Sequence, residues 1–362
     1  MIINKLELMD FRNYESLSVE LSKGVNIFFG DNAQGKTNIL EAIYLCCTTR
    51  SQKRSRDKDM IRFGEDEAHL KMFFHKSMLD RKIDLHLIKG KSKRIAIDGI
   101  PVTKATEVYG MMNIISFSPE DLSIIKEGPG ERRNFVDMEL CQLDREYMFS
   151  LSSYNRAILQ RNILLKQISV NNSLKGTLDI WDDQISGYGK VIIERRKKFI
   201  EDLNTIAAPI HKALTNGEED LVIKYVPNTT AENIRNDIFL SRDRDIMSKI
   251  SNVGPHRDDI ECIINNENAR TFGSQGQQRT VALTLKLAEI ELVRSSVHDD
   301  PVLLLDDVLS ELDRNRQNQL LNSISGIQTI ITCTGLEEFI KERVQCDKIF
   351  KVEQGTISEV FN

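Results

Sequence analysis

The sequence predicts an α/β protein, a mostly parallel sheet covered by helices and interrupted by a helical insertion, and three observations carry that reading. The apolar run Val25–Phe29 enters a glycine-bearing loop at residues 30–37, and a helical pattern follows. Residues 302–305 and 329–332 are short apolar runs alternating with helical stretches, as parallel strands buried on both faces are. From about Leu143 to Asn216 the hydrophobic period changes from two to three or four, so the middle of the chain is helical.

Taken in order, Leu6 and Leu8, then Leu17, Val19 and Leu21, alternate as half-buried strands do. After the glycine loop, Ile39, Leu40, Ile43, Tyr44 and Cys47 fall on one helical face. Runs at 82–88 and 94–97, broken at Lys89-Gly90 and Asp98-Gly99, read as a hairpin meander, and 113–117 reads as a strand stopped by Ser118-Pro119. Leu143, Tyr147, Leu151, Tyr154 and Ile158 then step by three or four, as do Ile185, Tyr188 and Ile192, then Phe199, Leu203 and Ile206. The polar stretch 170–177 separates these two helices and Asn216-Gly217 ends the second. At about 30 residues each they would run about 45 Å, an antiparallel arm or lobe too short for a long coiled coil. A helical layer lying flat on the sheet fits the same spacing. Ile260, Cys262 and Ile264 alternate ahead of a turn at 265–268, and Val281, Leu285, Ala288 and Leu292 share a helix face. The expected division is a head built from 1–125 and 246–362, with 126–245 inserted.

With 362 residues, 40% hydrophobic and 28% charged, the chain has room for two or three globular domains. No basic stretch followed by an apolar run opens it, and no window approaches the roughly 18 apolar residues of a membrane span. A cytoplasmic protein with no membrane association is expected. The six cysteines show no CxxC spacing and the six histidines no pair at helical spacing, which predicts reduced core thiols. A net charge of −5 and a pI near 5.8 exclude a uniformly basic nucleic-acid binder and leave room for local patches.

Gly30, Asp31, Asn32, Ala33, Gln34, Gly35, Lys36 and Thr37 fit GxxxxGK[ST] in the required place, between a strand and a helix. Such a loop wraps phosphate with its backbone N–H groups, and the helix N-terminus adds partial positive charge. Lys36 is expected to reach the β- and γ-phosphates of ATP, Thr37 to ligate Mg²⁺, and Asn38 to lie in the same contact set. Asp306 ends an apolar strand, where a second Mg²⁺-binding carboxylate belongs, and Asp307 is placed to orient or deprotonate the attacking water. Adjacent acids at a strand end can also be a solvated turn. Ser274, Gln275, Gly276, Gln277 and Gln278 resemble the signature motif of ABC-type ATPases, with Ser274 as a helix N-cap and Gly276 permitting close backbone approach. A plain capped helix reads the same way.

Residues 303–313 resemble the Walker B and D-loop pattern of that superfamily. Phe11-Arg12-Asn13-Tyr14, Arg132-Arg133, Gly254-Pro255-His256-Arg257-Asp258-Asp259 and the motifs above together resemble the RecF family, relatives of the SMC proteins, over nearly the whole chain. The resemblance implies an ABC-type (SMC-like) P-loop ATPase head with an inserted helical lobe. It implies an ATP-dependent homodimer on duplex or gapped DNA, with RecO and RecR as partners in loading recombinase at single-strand gaps. It places Arg12 and Asn13 near the nucleotide, and gives Ser274 to Gln278, with Ser310 and Asp313, roles on the ATP of the other subunit. Three positions depart from the superfamily pattern. Asp307 stands where glutamate is usual, one methylene short, which predicts slow hydrolysis. Thr332 and Thr334 stand where many members carry a histidine, and Glu120 where a glutamine is usual. A transporter ATPase subunit has no use for the segments at 11–14 and 254–259, and an SMC-like structural protein would need a long coiled coil.

Three basic runs are candidates for DNA: Arg50, Lys53, Arg54, Arg56 and Lys58; Lys89, Lys91, Lys93 and Arg94; and Arg195, Arg196, Lys197 and Lys198. Charge runs are commonly solvated faces. The first is preferred because it leaves the nucleotide loop's helix directly. No aromatic platform interleaves with it, so duplex backbone is the expected target.

Overall fold

The structure, a computed structural model, describes residues 1–335 and 346–360. The chain divides into two compact units, a head of Met1–Asp121 with Glu289–Asn362 and a lobe of Leu122–Ala288. The head opens with β1 (Ile2–Phe11) and β2 (Tyr14–Glu20), a hairpin turning at Arg12-Asn13, followed by β3 (Val25–Phe29) and α1 (Lys36–Thr48). Next come β4 (Glu67–Lys76), β5 (Leu79–Ile88), β6 (Arg94–Ile97), β7 (Ile100–Val102) and β8 (Ile114–Phe117). Six of these strands form an antiparallel sheet in the order β2-β1-β4-β5-β6-β7. In β4, Ala68, Leu70, Met72 and Phe74 are buried while Glu67, His69 and Lys71 face outward, the period-two pattern of a sheet with one wet face.

In the lobe, α2 (Ser123–Lys126) and α3 (Pro129–Leu143) precede α4 (Arg145–Ile168) and α5 (Leu178–Leu214), which run back along each other. Asp144 caps α4 by accepting from the N–H groups of Glu146 and Tyr147. Then follow β9 (Leu221–Val226), α6 (Ile234–Leu240), α7 (Arg242–Ser248), β10 (Asp259–Ile264), β11 (Glu267–Asn268) and α8 (Gln275–Val297). The strands β11-β10-β9 make a separate three-stranded sheet, and α5 packs on β9 as well as on α4. Both sequence alternatives are therefore partly realised: a helical pair, one member of which also covers a small sheet. Because β9 and β10 belong to the lobe, the second division falls at Ala288/Glu289, inside α8, and not at 245/246.

The head is completed by β12 (Val302–Asp306), α9 (Arg314–Ser323), β13 (Thr329–Cys333), β14 (Cys346–Glu353) and β15 (Thr356–Glu359). Its second sheet runs β15-β14-β3-β13-β12-β8, parallel except for β15. Phe28 of β3 and Phe350 of β14 stack with ring centroids 4.7 Å apart and help fix that order. Helix α1 packs on β4 and β5 on one side and on β8, β12 and β13 on the other. It is thus buried on nearly every side, Leu45 and Cys46 included, where the sequence reading gave it a single apolar face.

Candidate functional site

The loop after β3 and the acid that ends β12 both lie at carboxyl ends of parallel strands, where open α/β sheets bind ligands. One strand, β13, stands between β3 and β12, and its register sets Thr332 beside both Asp306 and Phe28. Thr37 at the first turn of α1 donates to Asp306 Oδ1 at 2.8 Å, and Thr332 Oγ1 donates to the same oxygen at 2.7 Å. The hydroxyl predicted from the loop and the carboxylate predicted from the distant strand are thus in contact.

Lys36 is 4% exposed, and its ammonium donates to the carbonyls of Gly30 (2.7 Å) and Asp31 (2.9 Å), which holds it within the loop's curve. Asp31, Asn32 and Ala33 are exposed on the loop. Gly35 has φ +114°, and a Cβ there would come within 2.5 Å of the Asn13 amide, so the close approach requires glycine. Asn13 Nδ2 donates to Gln34 O at 2.8 Å, and Asn38 Nδ2 donates to Asn13 Oδ1 at 2.8 Å. Arg12 also adjoins the loop helix. Its guanidinium pairs in fork geometry with Glu41 (2.8 and 2.8 Å) and donates to Asp59 O and Ser55 Oγ, which ties α1 to the segment after it.

Two supports were missed in the sequence. Glu41, 3% exposed on α1, receives Arg12 and the Ser51 hydroxyl (2.6 Å). The β14–β15 turn brings the Gln354 N–H to Gln34 Oε1 (2.6 Å) and the Gly355 N–H to Gln34 O (3.2 Å). Positive φ values of 47° and 74° at Gln354 and Gly355 mark a hairpin turn, a signal present in the sequence; which loop it would touch was not.

Asp307 sits in left-handed backbone, φ 52°, with its N–H directed to Thr332 O (3.2 Å) and Oγ1 (3.1 Å), so its carboxylate starts from a pinned backbone. Ser310 Oγ donates back to Asp307 O at 2.7 Å, and Asp313 caps α9 through the N–H groups of Asn315 and Arg316. Of the two threonines, Thr332 is 2% exposed behind Asp306, and Thr334 is exposed. Glu120 is exposed on the turn after β8.

In the lobe, Ser274 Oγ accepts from the Gln277 N–H (3.2 Å) while Gln277 Oε1 accepts from the Ser274 N–H (2.8 Å), a capping box at the start of α8. Gln277 and Gln278 then turn inward, to Glu219 Oε1 and to the carbonyls of Ala269 and Arg270. Gln275 and Gly276 are exposed. A Cβ on Gly276 would meet nothing among the described residues nearer than Ser274 Oγ at 3.9 Å, so the chain's own packing does not ask for glycine there.

Residues 2–358 match the RecF/RecN/SMC N terminal domain family. The DNA replication and repair protein RecF of Lachnoclostridium phytofermentans is 54% identical over 359 residues, covering 99% of this chain and 100% of that one. The chain belongs to the RecF family. RecF of Clostridium perfringens is 44% identical over 362 residues, with 99% of each chain covered. The solved structure of the recombination mediator protein RecF-ATP in the RecFOR pathway matches with a TM-score of 0.93 at 33% identity, covering 99% of this chain and 98% of that one. The Smc head domain of Pyrococcus furiosus, at 17% identity and a TM-score of 0.57 over 99% of this chain and 96% of that one, shares the fold. The fold class is therefore an ABC-type, SMC-like P-loop ATPase head with an inserted helical lobe.

In the segment at 254–259, Gly254, Pro255 and Asp258 are buried in the lobe, while Arg257 is exposed. Asp258, 0% exposed, accepts from Arg196 Nη1 (3.0 Å), the Asn228 N–H (2.8 Å) and the Tyr225 hydroxyl, while Asp259 pairs in fork geometry with Arg132 (2.7 and 3.0 Å). His256 Nε2–H donates to Ser251 O, so Nδ1 accepts from Tyr154. Burial pushes this imidazole down to about 4, and it is neutral at physiological pH.

Arg50, Lys53, Arg54 and Arg56 are all exposed. Lys93 Nζ donates to Thr49 O (2.6 Å) and Asp57 Oδ1 (2.9 Å), which brings the second basic run beside the first. The third is not one continuous patch: Arg196 is 2% exposed, Arg195 pairs with Asp144 and Glu146, Lys198 pairs with Asp202, and Lys197 is exposed. Among the described residues no helix is long and apolar enough to cross a membrane.

Proposed function

We propose that the chain is an ATP-dependent DNA-binding switch of recombinational repair, in which ATP joins two copies that together hold duplex or gapped DNA and slow hydrolysis times release. The observation that carries this reading is the contact between Thr37 and Asp306, which unites loop and acid in one site. Relatives named as DNA replication and repair proteins, and the RecF-ATP structure of the RecFOR pathway, support the same assignment and point to RecO and RecR as partners in loading recombinase. A hydroxyl and a carboxylate are hard oxygen donors that suit Mg²⁺, so Thr37 and Asp306 are the residues to hold it. When bound, Mg²⁺-ATP supplies the phosphoryl group and neutralises the charge that develops as it leaves.

Lys36 turns from the loop carbonyls to the β- and γ-phosphates, and the loop N–H groups bind the rest. Thr332 fixes the Asp306 carboxylate through its hydroxyl. Asp307 orients water and takes its proton, and its shorter side chain keeps turnover below about 1 s⁻¹ without DNA or partner. The start of α8 at Ser274 and Gly276, with Ser310 and Asp313, completes the site of the other copy. Arg50, Lys53, Arg54 and Arg56 contact phosphates of the duplex.

Sedimentation with duplex DNA, in the absence of nucleotide and with ADP, ATP, or ATP plus Lys36→Ala, tests the proposal. Dimers that form only with ATP, and alone carry DNA, are expected. A chain that ignores DNA in every nucleotide state would remove the DNA role and leave the nucleotide site.

A further inference from the structure

We propose that Glu67, His69 and His86 form a binding site for a borderline divalent cation, Zn²⁺ foremost, on the outward face of β4 and β5. His69 and His86 stand directly opposite each other in the antiparallel register, their rings stacked with centroids 4.0 Å apart. Glu67, two residues before His69, lies on the same face. Its Oε2 is 2.9 Å from His86 Nε2 and its Oε1 3.8 Å from His69 Nε2. One ligand atom from each of the three residues lies within 4.8 Å of the others. The pair is made by strand register, so a search for helical spacing does not find it.

The donor set decides the ion. Two neutral imidazoles and a carboxylate suit Zn²⁺, Ni²⁺ and Cu²⁺, whereas Mg²⁺ and Ca²⁺ take oxygen ligands. Tetrahedral bonds of 2.0–2.1 Å place ligand atoms about 3.3 Å apart; the 2.9 and 3.8 Å separations, made by the two different oxygens of Glu67, lie on either side of that value, and one atom from each residue lies within 4.8 Å of the others. Closing the geometry requires the two stacked imidazoles to turn out of parallel, so that both in-plane nitrogen lone pairs meet at one ion and a fourth position is left for water. Coordination through Nε2 requires the single proton of neutral His86 on Nδ1, so the proton that Nε2 now gives to Glu67 is lost to solvent and one is taken up at Nδ1.

Charges of both signs surround the cluster, and Asp84 Oδ2 is paired with Lys82 at 3.0 Å. Asp84, two residues before His86 on the same face, lines a groove with both histidines, and its Oδ1 is enclosed with no hydrogen-bond partner among the described residues. Lys71, Lys93 and Arg94 line the same groove, and the charge of Lys93 is matched by Asp57 at 2.9 Å.

The test is Zn²⁺ titration of the untagged full chain in excess Mg²⁺, followed by calorimetry, for the wild type, His69→Ala, His86→Ala, the double variant and Glu67→Gln. One site is expected that excess Mg²⁺ does not fill and that each single substitution weakens about tenfold or more, since even partners outside the coordination sphere contribute that much. Glu67→Gln keeps the shape of the cluster and so separates ligand loss from disturbed folding. Zn²⁺ binding that is absent from the wild type, or unchanged in the double variant, would overturn the proposal. In the second case the ion sits elsewhere, for instance on the partly exposed Cys141 or Cys346.

Discussion

Arg196→Met tests whether the third basic run belongs to the lobe's interior or to a DNA-binding face. Arg196 is 2% exposed and donates to Asp137 (2.8 Å), Asp258 (3.0 Å), Pro255 O (2.7 Å) and the Tyr147 hydroxyl (3.1 Å). Methionine keeps much of the apolar stem but leaves Asp258 with only the Tyr225 hydroxyl and the Asn228 N–H. Removing one side of a buried pair costs about 3–5 kcal/mol. A change on a solvated face stays within about 0.5 kcal/mol, so the two assignments are far apart. The pH dependence has a definite sign. Burial already pushes the Asp258 carboxyl up against the pull of Arg196, and without Arg196 it rises further. A carboxyl raised on folding binds its proton more tightly in the folded state. The penalty is therefore complete above the raised pKa and shrinks as pH falls toward the unfolded value. Urea unfolding at about pH 8 and about pH 5.5, read through Trp181, the chain's only tryptophan and a lobe residue, measures both quantities. The expected result is a loss of about 3–5 kcal/mol at the higher pH, a smaller one at the lower, and unchanged DNA affinity. A loss below about 1 kcal/mol, accompanied by weaker DNA binding, would refute the reasoning.

Thr332→Val is nearly isosteric and removes the hydroxyl bond to Asp306, a charge-assisted bond worth about 1.5–3 kcal/mol. The head should melt earlier and need more Mg²⁺ to bind ATP, and a thermal scan across Mg²⁺ concentrations checks this. Gly276→Ala makes only an ordinary contact, with Ser274 Oγ at 3.9 Å, and improves helix propensity by up to about 1 kcal/mol, so stability should hold or rise while ATP-dependent dimerisation falls. Normal sedimentation of this variant as a dimer would count against a contact across copies. Reversal of Lys53, Arg54 and Arg56 to glutamate should reduce DNA binding and spare ATP binding. If the wild type contacts about six phosphates, its log K falls with log salt at a slope near −5, and the variant's slope should be shallower.

Much of the head was legible because its signals are local. The strand Val25–Phe29, the glycine loop and the helix after it are adjacent, and the apolar runs ending at Asp306 and Thr332 could only be buried parallel strands. The N-cap at Ser274 was equally readable, although the reciprocal bond from Gln277 was not part of that reading. What failed to show was set by register and tertiary contact. Strand Glu67–Lys76 alternates cleanly, yet its outward row of Glu67, His69 and Lys71 disguised a central strand. Arg196 and its neighbours in the run 195–198 look alike in sequence, and only the fold buries one beside two carboxylates while leaving Lys198 in solvent. The same limit hid Glu41 and Gln354, whose roles depend on which distant loop they meet.

The construction of the nucleotide loop bears on where the switch can reside. Asn13, Tyr14 and Gln354, none of them part of the loop, hold Gln34 and Gly35 by hydrogen bonds, and Asn38 locks Asn13 in turn. A cradle fixed in this way loses little freedom when it binds, so affinity is gained without a large rearrangement of the loop. Ligand-driven change then has to come from contacts made only once ATP is present. The start of α8 is suited to such a contact: it is capped, it is anchored inward by Gln277 and Gln278, and it carries a glycine that the chain's own packing does not require. A ligand bound between two copies stabilises only the joined form, so on the proposed reading a rigid loop and an open helix start suffice for ATP to control assembly. On the proposed reading Asp307 would set how long that assembly lasts: its backbone is pinned in left-handed geometry by Thr332, and its side chain is one methylene shorter than a glutamate's.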